Sequence, residues 1–160
     1  MSKGPMKALG KIARPVVRAW LIAGTLDITA ASVYYPLVYK FKLILLYQNI
    51  ASGVFGDSAF RSGIPMAALG LLFHYLIALS WTFIFFFLYP RIKMMSKNKF
   101  ATGTTYGIFV WAVMNLVVLP LSNVEHSSFN IGRALVAALF LVFCIGLPIS
   151  IVATKFYSEI

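Results

Sequence analysis

Two ionisable side chains stand inside long apolar runs of this 160-residue chain, Asp27 and His74. If those runs cross a bilayer, the carboxylate costs a few kcal/mol or more to bury and needs a partner, a wet cavity or a proton. An imidazole supplies a partner or a proton near neutral pH. A carboxylate and an imidazole in contact there share one proton rather than hold two full charges. Asn115 is a third polar side chain in an apolar run. The three fit either of two chemistries: an interhelical hydrogen-bonded clamp, worth about 0.6 to 2 kcal/mol, or a proton or solute relay. Gln48, Asn49 and Ser52 are expected to line a polar pocket beside them, open to the outer face.

Other chemistry is not indicated. Catalysis needs a nucleophile and base, or a metal set, gathered in one cavity, and one aspartate with one histidine does not meet that test. Glu125 and His126 are adjacent, which is poor metal geometry, and they read as solvated loop residues. Cys144 is the one cysteine, so no intramolecular disulfide forms and its role is to pack as a small hydrophobe. No phosphate-cradling glycine motif, zinc motif or haem-attachment motif is present, and no cofactor is implied.

The elements that must position Asp27 and His74 follow from hydropathy. The chain is 61% hydrophobic and 11% charged, far from the balance of a soluble domain. A hydrocarbon core about 30 Å thick takes roughly 20 apolar residues of helix. Gly63 to Pro90 carries no formal charge, and Ile64–Tyr89 is long enough to cross with some tilt. Four spans are expected, over residues 19–39, 64–89, 101–119 and 131–154, in one helical membrane domain covering 1–160. Pro120 is expected to end the third span, and Pro148 to kink the fourth. Gly103 and Gly107 form a small-xxx-small pair that admits a close helix neighbour. Between the first two spans, Phe41 to Gly56 is mostly apolar yet too short to cross, so it reads as a re-entrant or interfacial helix. At mid-span, about 11 residues into the first helix and about 10 into the second, Asp27 and His74 reach the same depth.

The basic residues orient this frame. Lys3, Lys7, Lys11, Arg14 and Arg18 fall at helical spacing beside an apolar stripe, a segment suited to lie along anionic headgroups over residues 1–18. Asp27, and apolar sequence continuing to Val38, argue for a retained span rather than a cleaved signal peptide. With the N-terminus inside, Arg91, Lys93, Lys97, Lys99 and Lys155 join the same side, leaving Lys40, Lys42, Arg61 and Arg133 outside. That excess places both termini in the cytoplasm. The net charge of +10 is therefore a membrane-edge feature, and nucleic acid is not expected as a partner. Membrane lipids are.

Several strings carry a resemblance: Gly24-Thr25-Leu26-Asp27, Gln48-Asn49-Ile50-Ala51-Ser52-Gly53, Ala59-Phe60, Gly70 with His74 and Ile77-Ala78, Tyr106-Gly107, Met114-Asn115 and Pro120-Leu121-Ser122. In these the chain resembles small polytopic bacterial inner-membrane proteins of the YagU-like kind. The strings lie between Gly24 and Ser122, with the Gln48 to Gly53 string the most specific. The resemblance implies a four-helix inner-membrane protein and no particular activity. The functional expectation is an accessory or structural membrane component with an interhelical polar cluster. Its alternative is a small channel or transporter, which in a chain without an inverted repeat needs a homo-oligomer or a membrane partner protein.

Overall fold

In the computed structural model of the chain, the described residues are 5–92, 97–124 and 130–159, with 5–11 described by their backbone alone. Lys3, Lys93, Glu125 and His126, and the side chains of Lys7 and Lys11, lie outside them. Among the described residues all regular structure is helical: α1 Pro5–Tyr39, α2 Leu43–Phe55, α3 Gly63–Leu88, α4 Lys99–Val113, α5 Leu119–Leu121, α6 Ile131–Phe140 and α7 Leu147–Ser158. Four stretches are long and apolar enough to cross a membrane, Ile12–Tyr39, Gly63–Arg91, Lys99–Leu121 and Ile131–Ser158. Only 17 to 28% of each span's most apolar window is buried within the chain. Leu72, Phe83, Leu135 and Phe143 are more than half exposed. Apolar surface turned outward on this scale has hydrocarbon as its natural solvent, and the chain is a multi-pass helical membrane protein.

Three features add detail to the expected elements. The basic segment and the first span form one helix: α1 is continuous from Pro5 and passes through Pro15 and Pro36. The third span ends at Leu121, one residue past Pro120, and before that proline it widens into a π-helical turn at Met114–Val118. The fourth span does the same at Leu141–Gly146, just before Pro148. A proline ring strikes the carbonyl four residues back, here Leu116 and Cys144, and both lie within the widened turns. The ladder there runs five residues back, from Leu119 N–H to Met114 O and from Leu147 N–H to Val142 O, which moves those carbonyls aside.

Glycines set how closely the helices approach. A Cβ on Gly103 would stand 2.9 Å from Leu147 Cα, and one on Gly146 would stand 2.1 Å from Gly103 O. The third and fourth spans thus touch backbone to backbone along Gly103, Gly107 and Gly146, as the small-residue spacing suggested. α2 crosses α3 at Gly70, where a Cβ would lie 1.8 Å from Tyr47 O. Polar caps start the last two spans: Asn98 accepts from Phe100 N and Ala101 N, and Asn130 accepts from Arg133 N. The packed core joins all four spans through Ala19 and Ala23, Phe85 and Phe86, Tyr106 and Val110, and Ile145 and Ile149. It fills the half of the bundle nearer Arg18 and Arg91, leaving Asp27 and His74 beside it.

Candidate functional site

α1 presents Trp20, Gly24 and Asp27 along one face, at the four- and three-residue spacings that stack on a helix. α3 presents His74, Tyr75 and Ala78 opposite. Gly24 makes the approach close, since a Cβ there would meet Tyr75 Cδ1 at 3.1 Å and Ala78 Cβ at 3.3 Å. Three hydrogen bonds then join the helices. Trp20 Nε1 donates to Tyr75 O at 2.7 Å, Thr25 Oγ1 and the Tyr75 hydroxyl are bonded at 3.0 Å, and His74 Nε2 meets Gly24 O at 2.9 Å. A carbonyl only accepts, so His74 carries its proton on Nε2.

That bond determines what the other ring nitrogen can do. In neutral His74 the Nδ1 atom holds a lone pair, and it lies 4.0 Å from Asp27 Oδ2. The distance is an electrostatic contact and not a hydrogen bond. The side chains are 12% and 19% exposed, respectively. Both border a chamber of about 180 Å³ whose other walls are apolar, with Ile50 from α2, Ile77 and Trp81 from α3, Met114 from the third span, and Leu141 and Ile145 from the fourth. Every helical layer of the protein therefore contributes to the surroundings of this pair. Among the described residues, no group of three or more His, Cys, Asp or Glu side chains is placed to hold a metal.

The other expected site residues lie elsewhere. Asn115 turns back on its own helix, donating from Nδ2 to Trp111 O at 2.9 Å, and Met114 lines the chamber instead. One residue is about 100° around a helix, enough to carry Asn115 away from the pair. Gln48, Asn49 and Ser52 do not share a pocket. Gln48 and Ser52 are buried on one face of α2, while Asn49 is exposed on another, as positions four apart share a face and adjacent ones do not. Gln48 Nε2 donates to Gly63 O at 3.0 Å, and Ser52 Oγ to Asn49 O at 2.8 Å. The Gln48 bond seats α2 on the start of α3, and the Ser52 bond stays within α2. The far end of α2 is held by Asn123, whose Nδ2 donates to Val54 O at 3.0 Å. Arg14 and Arg18 are exposed near the start of the first span.

Sequence reasoning did not find Gly24, Trp20 or Tyr75 as parts of the site. The spacing of Trp20, Gly24 and Asp27 was the available signal. No known protein family, curated protein or solved structure matches the chain, so the geometry alone carries the functional reading.

Proposed function

We propose that this chain is an accessory or structural component of a membrane, in which the Asp27–His74 centre clamps the first span to the second. The carrying observation is the His74 Nε2 to Gly24 O bond at 2.9 Å, made across two helices that have no hydrophobic drive to associate in lipid. Trp20 and Thr25 add their bonds to Tyr75 on the same seam. The test is the unfolding free energy of the purified protein in mixed micelles. His74→Ala is expected to lose about 0.6 to 2 kcal/mol, and His74→Gln, whose amide can still donate to a carbonyl, to lose less. Equal stability of His74→Ala and the native protein would remove the clamp.

A second reading, a small oligomeric channel or transporter with Asp27 and His74 as a proton or solute relay, is favoured by the chamber, where neither facing atom of the pair has a hydrogen-bond partner among the described residues. It predicts pH-driven flux in proteoliposomes that Asp27→Asn abolishes while the fold persists. Either reading sits in a bacterial inner membrane with both termini cytoplasmic. The support is the Lys/Arg bias together with the resemblance to YagU-like proteins. In this placement α2 is the interfacial or re-entrant segment of the outer face, supported by exposed Leu43, Val54 and Phe55 between charged Lys42 and Asp57. Arg14 and Arg18, with Lys3, Lys7 and Lys11 before them, are the cytoplasmic headgroup contacts.

A further inference from the structure

Two acceptors, Asp27 Oδ2 and His74 Nδ1, face each other in the chamber wall. We propose that the Asp27–His74 pair is a binding site for one small primary alkylammonium ion, which competes there with a single proton. The inference rests on the clamp geometry above, because the Gly24 carbonyl holds the ring proton on Nε2 and leaves Nδ1 as a lone pair. Asp27 Oδ2 stands 4.0 Å from that lone pair. Among the described residues, neither atom has a hydrogen bond. A nitrogen about 2.8 Å from each of two acceptors so separated subtends roughly 90°, close to the spread of N–H bonds on an ammonium, so one –NH₃⁺ group donates to both at once.

The rest of the chamber selects what is attached to that nitrogen. Its 180 Å³ corresponds to about six water-sized volumes, enough for an ammonium with a chain of about four carbons. The walls of Ile50, Ile77, Met114, Leu141 and Ile145 favour an alkyl tail over water. The Trp81 ring in the same wall favours a cation over a neutral molecule. A second anion would meet the Asp27 charge without a compensating basic residue in the lining.

The same two acceptors also take a proton, and a proton on either one leaves no acceptor pair for the ammonium. Where the pair is protonated, binding of R–NH₃⁺ therefore expels one H⁺ to solvent, and charge and atoms balance. The titratable groups facing Asp27 are His74 on α3, Cys144 on the fourth span and Tyr35 on α1. The first of these makes the 4.0 Å contact.

The experiment is isothermal titration of the purified full chain in detergent with n-butylammonium chloride, at several pH values and in two buffers of different ionisation enthalpy. Tetramethylammonium, a cation without an N–H, is the comparison ligand. The expected result is saturable one-to-one binding of n-butylammonium that weakens as pH falls. Up to one proton is released per ligand, and tetramethylammonium binds about tenfold or more weakly, since it can make no charge-assisted bond. Asp27→Asn should weaken n-butylammonium binding by a similar factor. The proposal is overturned by absence of binding, by equal affinity for the two cations, or by binding without a proton-release or pH dependence. The native-protein measurements decide the matter even if Asp27→Asn fails to fold. Absence of binding alongside a destabilised His74→Ala would end this proposal and leave the clamp standing.

Discussion

Gly70→Ala is expected to unseat α2, and the size of the effect can be worked from the contact. The new Cβ would stand 1.8 Å from Tyr47 O, 2.7 Å from Tyr47 C and 3.3 Å from Ala51 N. All three are backbone atoms, so no flexible side chain can turn aside. Restoring ordinary contact with Tyr47 O needs α2 to retreat by roughly 1.5 Å, a gap that forfeits half or more of the dispersion attraction along the crossing. The same retreat stretches the 3.0 Å bond from Gln48 to Gly63 O beyond hydrogen-bonding range. It leaves a buried amide unpaired at about 1 to 3 kcal/mol. Overpacking adds about 1 to 3 kcal/mol, and the better helix propensity of alanine returns about 1. A net loss of about 1 to 5 kcal/mol is expected. Gly63→Ala is the control: its Cβ would meet nothing within 4 Å, but its φ of +58° is left-handed, so only conformational strain of about 1 to 2 kcal/mol applies. Reversible unfolding in mixed micelles, followed by helical circular dichroism, measures both. A Gly70→Ala protein within 0.5 kcal/mol of native, about the error of such a comparison, would refute the close crossing, as would a Gly63→Ala protein less stable than Gly70→Ala.

The remaining predictions concern the Tyr39 end of the first span and the orientation of the bundle. Lys40 ends α1 with φ 54°, a left-handed conformation that costs a β-carbon residue about 1 to 2 kcal/mol and costs glycine almost nothing. Lys40→Gly should therefore raise stability by about 0.5 to 1 kcal/mol in the same unfolding assay, after the loss of chain entropy is deducted. For orientation, a membrane-impermeant thiol reagent added to intact cells should label a cysteine placed at Ser58 and spare one placed at Lys97, with Cys144 changed to alanine in both. The opposite pattern would invert the topology.

The spans were legible because hydropathy over a bilayer's length is a coarse signal that no local detail erases. All four stretches appear within a few residues of where composition puts them, apart from the longer first helix. Asp27 and His74 were legible for a similar reason: counting 1.5 Å per residue from each membrane edge sets their depth whatever the packing. What escaped was rotation. Asn115 and Met114 differ by one residue and face different neighbours, and the register of α2, with Gln48 inward and Asn49 outward, depends on a crossing at Gly70 that its apolar content does not encode. The partner of His74 escaped for a deeper reason. Gly24 acts through its backbone carbonyl, a group every residue possesses, and only the glycine's lack of a side chain hints that another helix comes close.

The clamp and the ammonium site both depend on the proton carried by His74 Nε2. Nitrogen-15 NMR of protein labelled at histidine, with His126 changed to glutamine so that one ring remains, reads that proton directly. At alkaline pH the account predicts a neutral ring protonated on Nε2 with Nδ1 unprotonated, the Nε2 proton being held by the Gly24 carbonyl. A ring protonated on Nδ1, or one exchanging freely between the two forms, would contradict it.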